Sequence, residues 1–262
     1  MYRFILFLTV IISCNLFSAY PQNNFSLNTS RESILFTSAI ALGITDLLLL
    51  DNEEPLTQEE LNLLSVNNIN SFDRSAALNY SPAAGNWSDV LLYTTILSPL
   101  LLTTSSKVQD NIGPFLTMYL QNTITAYSVS HLSKATVTRI RPYTYNNHTP
   151  DEIRMAPDSR HSFFSGHATS AFASVVFLSV TFSEYYPDSK LIPVVWGTSL
   201  LTASLVGYLR YAAGAHFPTD IITGAVVGSI IGFLIPHIHK NDETNNLVPV
   251  SNNKIFSITL QL

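Results

Sequence analysis

The chain has 262 residues, of which 47% are hydrophobic and only 12% are charged, and its formal net charge is −5. An average soluble domain carries about 25% charged residues, so this deficit indicates contact with a membrane or an unusually apolar helical core. The negative net charge, without a long stretch of Lys and Arg, excludes the electrostatic footprint of a nucleic-acid partner. The single cysteine, Cys14, excludes an intramolecular disulfide. No obligate protein partner is inferred from the composition.

Residues 1–20 are typical of an export signal. Arg3 precedes an apolar run from Phe4 to Ile12, which is too short to span a bilayer comfortably. Three interpretations stay open: cleavage by an ordinary signal peptidase near Ser18 or Ala19, lipidation at Cys14 after a lipobox-like sequence, or an uncleaved anchor. The segment therefore predicts a bacterial-type cell envelope as the location, with membrane association.

The rest of the chain divides by composition into three parts. Residues 21–33 are polar and are predicted to form a surface linker, and residues 241–262 are predicted to form a polar tail. Residues 34–240 contain six apolar runs, each long enough for a helix and too long for an ordinary strand. The runs cover about 34–50, 90–102, 114–132, 168–182, 191–209 and 221–236. We predict an all-α bundle of about six helices, embedded in a membrane, with its active site at one end.

Three clusters of ionisable residues lie beside the ends of these predicted helices. The first runs from Lys134 to Arg141, the second is Ser165-Gly166-His167, and the third runs from Arg210 to Asp220. In an up-and-down bundle, the end of the third run, the start of the fourth, the end of the fifth and the start of the sixth all lie at the same end. The clusters are therefore predicted to converge on one cup.

The residue types in this cup suit phosphoryl transfer, in which catalysis is mostly positioning and charge stabilisation. Lys134, Arg141 and Arg210 supply three cations, and an arginine can bind two oxygens at once. The Ser165-Gly166 turn leads into a helix, whose N-terminal N–H groups and dipole favour an anion. Gly166 lets the backbone come close to that anion.

The third cluster contains a candidate nucleophile. A neutral imidazole at His216 can attack phosphorus, and Asp220 is predicted to hold the other ring N–H. His167 is the natural general acid for the leaving oxygen. Because side chains already supply the cations, we predict no metal and no cofactor, and we find no paired carboxylate motif to hold a metal.

Taken singly, each cluster also has a structural explanation. Cations at a helix end can anchor a membrane helix, a lone histidine is more often structural, and Asp220 suits the first turn of a helix. Fixed spacings in a fixed order make the combination much more specific than its parts. His237 and His239 lack other obvious metal ligands and are predicted to lie at a solvated helix end.

Together, the three clusters resemble the signature of the type 2 phosphatidic acid phosphatase and vanadium haloperoxidase superfamily, K-x6-RP, PSGH and SR-x5-H-x3-D, over about residues 89–236. Phe164 replaces the usual Pro, which leaves the stiffness of the turn open, and Leu209 replaces a Ser whose hydroxyl could bind phosphate. The resemblance implies that His216 is the nucleophile, Asp220 its partner and His167 the acid. It implies phosphate binding by five residues: Lys134, Arg141, Ser165, Gly166 and Arg210. Three nearby residues match no family position: Arg139, Arg160 and His161.

The sequence thus predicts a metal-independent phosphatase that hydrolyses a lipid phosphate monoester or diphosphate through a phosphohistidine, with its site facing the periplasm. A soluble periplasmic acid phosphatase, a vanadate-dependent haloperoxidase and a non-enzymatic membrane scaffold are the alternatives. A cleaved signal together with an outward-facing cup would prevent Ile34–Leu50 from crossing the membrane once. This run, which contains Asp46, is then expected to pack on the bundle or to lie at the interface.

Overall fold

A computed structural model describes residues 24–50 and 54–241, with backbone alone for residues 45–50. The described residues form nine α-helices and no strand. They are α1 (Thr29–Leu50), α2 (Gln58–Leu63), α3 (Pro82–Leu97), α4 (Ser106–Gln109), α5 (Ile112–Thr136), α6 (Asp151–Arg154), α7 (Gly166–Tyr185), α8 (Ile192–Ala212) and α9 (Pro218–His239). Six of them are long, and each contains most of one predicted apolar run. The all-α bundle is therefore confirmed.

The long helices alternate in direction, which gives the bundle two distinct ends. At the upper end, where α7 and α9 begin, the Ser165 N–H donates to the Asp220 carbonyl at 3.1 Å. At the lower end, where α1 begins and α9 stops, the Ser26 N–H donates to the His239 carbonyl at 2.8 Å. Lys107, between α3 and α5, donates to the carbonyl of Tyr185 at 3.2 Å, also at the lower end. The helix termini that carry the three sequence clusters therefore all lie at the upper end.

Glycine spacing sets how closely α7 and α9 pack. Gly224, Gly228 and Gly232 recur every four residues on one face of α9, so that the two backbones approach each other directly. A Cβ at position 228 would lie 2.2 Å from the carbonyl oxygen of Thr169. A larger residue there would separate the two helices whose N-termini form part of the upper end.

Aromatic packing stabilises the lower half of the bundle. Phe115 of α5 and Phe177 of α7 have their ring centroids 5.7 Å apart, and both are fully buried. Phe25 joins this cluster through an edge contact with Tyr185 at 5.5 Å. Burying side chains of this size contributes about 2 to 3 kcal/mol each.

The predicted surface linker at 21–33 differs from the structure over its described residues. Phe25 is buried, and α1 begins at Thr29, five residues before the apolar run at Ile34. Phe25 is a single aromatic residue among polar Asn and Ser residues. An argument from hydrophobic periodicity does not detect the burial of one isolated ring. The predicted export signal, residues 1–20, lies outside the described residues, and so does the predicted polar tail except for Asn241.

Three of the described helices, α7, α8 and α9, are long and apolar enough to cross a membrane. Many of their large apolar side chains are exposed, including Leu201 and Leu205 on α8 and Phe233 on α9. Exposed apolar surface of this extent marks contact with lipid or with another apolar surface. These helices support the membrane association that the composition predicts. Helix α1 packs along α5. This contact agrees with the expectation that Ile34–Leu50 packs on the bundle.

Candidate active site

The three sequence clusters meet at the upper end of the bundle. The Nη1 atom of Arg141 lies 3.4 Å from Nε2 of His216, which joins the first cluster to the third. A Cβ built at Gly166 would lie 3.8 Å from Nζ of Lys134, which joins the second cluster to the first. The structure therefore brings the predicted cations and the predicted nucleophile into one cup.

The imidazole of His216 is held in one tautomer. Its Nδ1 lies 2.7 Å from the carbonyl oxygen of Ser162, and a carbonyl oxygen can only accept a hydrogen bond. The ring proton therefore resides on Nδ1, and Nε2 keeps its lone pair. Nε2 points toward Arg141, whose guanidinium only donates. A lone pair aimed at a cation-lined space is what an attack on phosphorus requires.

The surroundings of His216 keep the imidazole neutral. Burial lowers the pKa of His216 well below its ordinary value, and the positive charges of Arg141, Arg210 and Lys134 lower it further. Both causes disfavour a positive charge on the ring. The side chain is therefore unprotonated, and able to act as a nucleophile, over the whole neutral range.

Asp220 does not hold the His216 ring directly, in contrast to the sequence prediction. The distance from its Oδ2 to Nδ1 of His216 is 3.8 Å, beyond hydrogen-bond range, because the Ser162 carbonyl occupies that position. Oδ2 instead accepts from the Ser162 hydroxyl at 2.5 Å and from the Phe217 N–H at 2.9 Å. Asp220 thus orients His216 through the backbone on both sides of the ring.

Arg139 links the carboxylate of Asp220 to a second carboxylate, that of Asp73. Its guanidinium donates to Asp220, and also to Asp73 at 2.7 Å. Thr219 donates its hydroxyl to the same Asp73 oxygen at 2.7 Å. Burial alone would raise the pKa of Asp73, but the hydrogen bonds from Thr219, Asn70 and Arg139 outweigh it and leave the pKa lowered. Arg139 therefore stabilises the start of α9, next to His216, and connects it to the segment before α3.

Arg141 is fixed before any ligand arrives. Its Nε and Nη2 donate to the backbone and side-chain oxygens of Asp158, each at 2.8 Å, and Nη1 donates to the Ala215 carbonyl at 3.0 Å. Burial raises the pKa of Asp158, but the charges of Arg141 and Lys134 outweigh that effect and lower it. Preorganised donors of this kind need little rearrangement to stabilise developing negative charge.

Ser165 and Gly166 form the N-terminus of α7, as predicted. Ser165 is the N-cap residue, and its hydroxyl accepts from the N–H of Ala168 at 3.3 Å. Ser133 of α5 compensates for the missing proline at 164, since its hydroxyl donates to the Phe163 carbonyl at 3.1 Å and accepts from the Phe164 N–H at 3.2 Å. The turn is therefore held by a neighbouring helix instead of by a rigid ring.

His167 and Arg210 share a partner that the sequence interpretation missed. Oδ1 of Asp89, on α3, lies 2.7 Å from Nε2 of His167 and 3.7 Å from Nη1 of Arg210. Arg210 also donates to the Ser88 hydroxyl at 3.2 Å. An acidic residue directly before an apolar run was the available signal, because carboxylates are rare in such helices and usually mark function.

The other nearby candidates have structural partners outside the cup. Arg160 pairs with Glu60 at 2.8 Å, which ties α2 to the upper end, and Nδ1 of His161 lies 3.0 Å from the Lys134 carbonyl. His239 was predicted to be solvated, but it is fully buried against Glu32. Among residues 24–50 and 54–241, no group of three or more His, Cys, Asp or Glu side chains is placed to hold a metal ion.

Comparison with known proteins agrees with the cup geometry. Residues 115–243 match the family model of the PAP2 superfamily. The matched residues contain all three motifs, which confirms the family resemblance predicted from them.

Curated relatives are similar over part of their length. The chain is 29% identical over 117 residues to an undecaprenyl-diphosphatase from Sulfolobus acidocaldarius, a match covering 45% of this chain and 52% of the relative. It is 28% identical to a lipid A 1-phosphatase from Rhizobium johnstonii, covering 55% and 59%. It is 31% identical to a lipid A 4'-phosphatase from Porphyromonas gingivalis, covering 38% and 40%. The chain thus spans about half the length of the curated relatives it matches.

One solved structure is similar in outline. It is a transmembrane PAP2-type phosphatidylglycerolphosphate phosphatase from Bacillus subtilis, 20% identical to this chain with a TM-score of 0.45. The match covers 76% of this chain and 94% of the other.

Proposed function

We infer that this protein is a membrane phosphatase that hydrolyses a lipid phosphate monoester or diphosphate through a phosphohistidine on His216. One observation carries this proposal. The Ser162 carbonyl holds the ring proton on Nδ1 and leaves the Nε2 lone pair directed at the space beside Arg141. Nε2 accepts one long hydrogen bond from Arg141, at 3.4 Å, which an incoming phosphate can replace. That arrangement suits a nucleophile, whereas a purely structural histidine of a membrane scaffold would have short hydrogen bonds at both nitrogens.

In the first proposed step, Nε2 of His216 forms a bond to phosphorus while the bond to the leaving oxygen breaks. His167 gives a proton to that oxygen, so a neutral alcohol, or a protonated lipid phosphate, departs. The imidazole then carries the phosphoryl group, and its positive charge is offset by the nearby Asp220.

In the second proposed step, water attacks the phosphohistidine. His167, now neutral, takes one proton from the water as the new P–O bond forms and the P–Nε2 bond breaks. Inorganic phosphate leaves, and both histidines return to their starting states. Lys134, Arg141 and Arg210 stabilise the equatorial oxygens throughout, which makes a metal ion unnecessary in this proposal.

The proposed substrate is a lipid phosphate because the cup lies at one end of helices suited to a membrane and because the named relatives act on lipid A or a polyprenyl diphosphate. A terminal phosphoryl group at the membrane surface is common to both classes. A soluble acid phosphatase would lack the exposed apolar surface of α8 and α9.

Phosphate release from a panel of lipid phosphates, with a chelator present, tests the proposal. We expect the wild type to be active on at least one lipid A or polyprenyl substrate, and His216→Ala to be at least about 10⁴-fold slower. His148→Ala, which changes an exposed histidine on an upper loop, is the matched control. Rapid quenching with a labelled substrate should trap an acid-labile phosphoenzyme that His216→Ala does not form. Equal rates in both variants, or loss of activity with the chelator, would refute the scheme.

We also propose that the cup faces the periplasm of a bacterial-type envelope. Asn147→Cys on an upper loop and Lys190→Cys at the lower end are both exposed, and a membrane-impermeant maleimide distinguishes them. Intact cells should label position 147 alone, measured against the parent chain with its native Cys14. Labelling of position 190 alone would reverse the orientation.

A further inference from the structure

Asp89 lies outside the segment that matches the PAP2 family model and belongs to none of the three motifs. It nevertheless reaches the cup from α3, in the first half of that helix. Its Oδ1 lies 2.7 Å from Nε2 of His167, a short hydrogen bond for a nitrogen donor. Because a carboxylate only accepts, the Nε2 atom of His167 carries a proton in this contact.

Two cations and a second imidazole surround the His167 ring. Arg210 approaches from α8, Lys134 from α5, and the His216 ring from the loop before α9. Cations that bind phosphate well also repel a protonated imidazole, so they disfavour the protonation of His167, the proposed general acid. Asp89 is in direct contact with the ring, and its negative charge opposes that repulsion.

We propose that Asp89 is a positioning residue that holds His167 in its orientation and stabilises the protonated form that general-acid catalysis uses. The inference rests on the proposed phosphatase mechanism, and it assigns a role to a residue of α3. The imidazolium keeps its Nε2 proton on Asp89 and gives the Nδ1 proton to the leaving oxygen. In the second half-reaction, Nδ1 recovers a proton from the attacking water, so the Asp89 contact stays unchanged throughout.

The distances favour this role over a purely structural one. Oδ1 of Asp89 is 3.7 Å from Nη1 of Arg210, beyond hydrogen-bond range, whereas the contact with His167 is 1.0 Å shorter. Arg210 also has a separate acceptor in Ser88. Removal of the carboxylate should therefore affect proton donation more than phosphate binding.

Asp89→Asn is the central variant because the amide oxygen still accepts from Nε2 while the negative charge is lost. Two substrates should separate its effects: an alkyl lipid phosphate, whose leaving group needs a proton, and p-nitrophenyl phosphate, whose leaving group does not. We expect kcat/KM to fall about 10- to 100-fold for the alkyl substrate and less than about 3-fold for the aryl one. Asp188→Asn, an exposed acid at the lower end, is the matched control.

A double-mutant cycle identifies the residue through which Asp89 acts. Asp89→Asn should cause no further loss of alkyl phosphatase activity in a His167→Ala background. In the single variant, the alkaline limb of the pH–rate profile should move to lower pH, since the acid gives up its proton more readily without the carboxylate. A merely structural role would leave that limb in place.

Three outcomes would overturn the assignment: equal losses on both substrates, a full additional loss in the His167→Ala background, or an unmoved alkaline limb. Failure of the proposed function itself would look different. In that case His216→Ala would retain the activity of the wild type on every substrate, whatever the behaviour of the Asp89 variants.

Discussion

The two ends of the bundle each bury a histidine near a carboxylate, but the hydrogen bonds of the two imidazoles differ. At the lower end, His239 uses both ring nitrogens, with Nδ1 2.7 Å from the Ile235 carbonyl and Nε2 2.8 Å from Glu32. At the upper end, Nδ1 of His216 donates to the Ser162 carbonyl at 2.7 Å, and Nε2 accepts a longer hydrogen bond from Arg141 at 3.4 Å. Both nitrogens of the lower ring therefore have short contacts, whereas the Nε2 lone pair of the upper ring has a long one.

The carboxylates differ in the same way. Glu32 contacts its histidine directly and also accepts from Gln121 at 2.6 Å and from its neighbour Arg31 at 2.8 Å. Asp220 acts on His216 through Ser162 and leaves the imidazole without a direct carboxylate contact. A buried histidine with two short hydrogen bonds stabilises the fold, and one whose Nε2 lone pair is held by a single long contact is available for chemistry.

The largest expected effect sharpens this contrast at the upper end. Asp220→Asn should lower kcat by about 10³-fold, because it weakens the network that fixes the tautomer of His216. Steady-state kinetics on the best lipid substrate measures it. Glu32→Gln is the matched amide substitution at the lower end, and it should keep kcat within about 3-fold. Comparable losses of kcat in the two variants would break the comparison.

A substitution at the lower end should change the free energy of unfolding. Glu32→Ala leaves His239 and Arg31 without their carboxylate and should reduce the free energy of unfolding by about 3 kcal/mol, as expected for one partner of a buried pair. Denaturant titration in detergent measures the change. Glu59→Ala removes an exposed carboxylate of α2 and should change the free energy by less than about 0.5 kcal/mol. A loss no larger than that of the control would show that the buried pair contributes little.

The pH dependence of stability should report the neutral state of His216. Its pKa is lowered in the folded protein, first by burial and then by Arg141, Arg210 and Lys134, whereas the unfolded value is about 6.5. The unfolded chain therefore binds the proton first as the pH falls. Stability conferred by the neutral ring is present above about pH 6.5 and is lost below it, at up to about 1.4 kcal/mol per pH unit.

Comparison with His216→Gln isolates this contribution. The difference in unfolding free energy between the wild type and the variant should be constant from pH 8 to 7 and should shrink below about pH 6.5. The acid limb of kcat/KM should likewise lie below that pH, because the nucleophile stays unprotonated. Parallel stability curves down to about pH 5 would contradict a lowered pKa.

Sequence reasoning was strongest where a local pattern determines the outcome. Apolar runs predicted the six long helices, and motif spacing predicted that Lys134, Gly166 and His216 share one end. Both predictions depend on the lengths and the alternating directions of the helices, and the apolar runs of the sequence indicate these directly. The turn at Ser165 also follows from its capping chemistry.

The partners of these residues were not predictable in the same way. Asp73, Asp89 and Asp158 come from three segments with no shared spacing, and each meets a residue of one of the three clusters only after folding. The role of Asp220 was misplaced for a related reason. Residue type suggests a direct imidazole contact, and only coordinates reveal that a backbone carbonyl intervenes. Burial of Phe25 and His239 likewise depends on tertiary packing.

The smallest expected effect concerns the turn that lacks the family proline. Ser133 accepts from the Phe164 N–H and donates to the Phe163 carbonyl, so Ser133→Ala leaves both groups without that partner. We expect a loss of about 1 kcal/mol in unfolding free energy and a several-fold fall in kcat/KM, because the N-terminus of α7 is part of the proposed phosphate site. Thr136→Ala is the matched control, since its hydroxyl bonds only to carbonyls of its own helix, at 2.8 and 3.3 Å. If both variants behave alike, the stiffness of this turn comes from its own packing and not from α5.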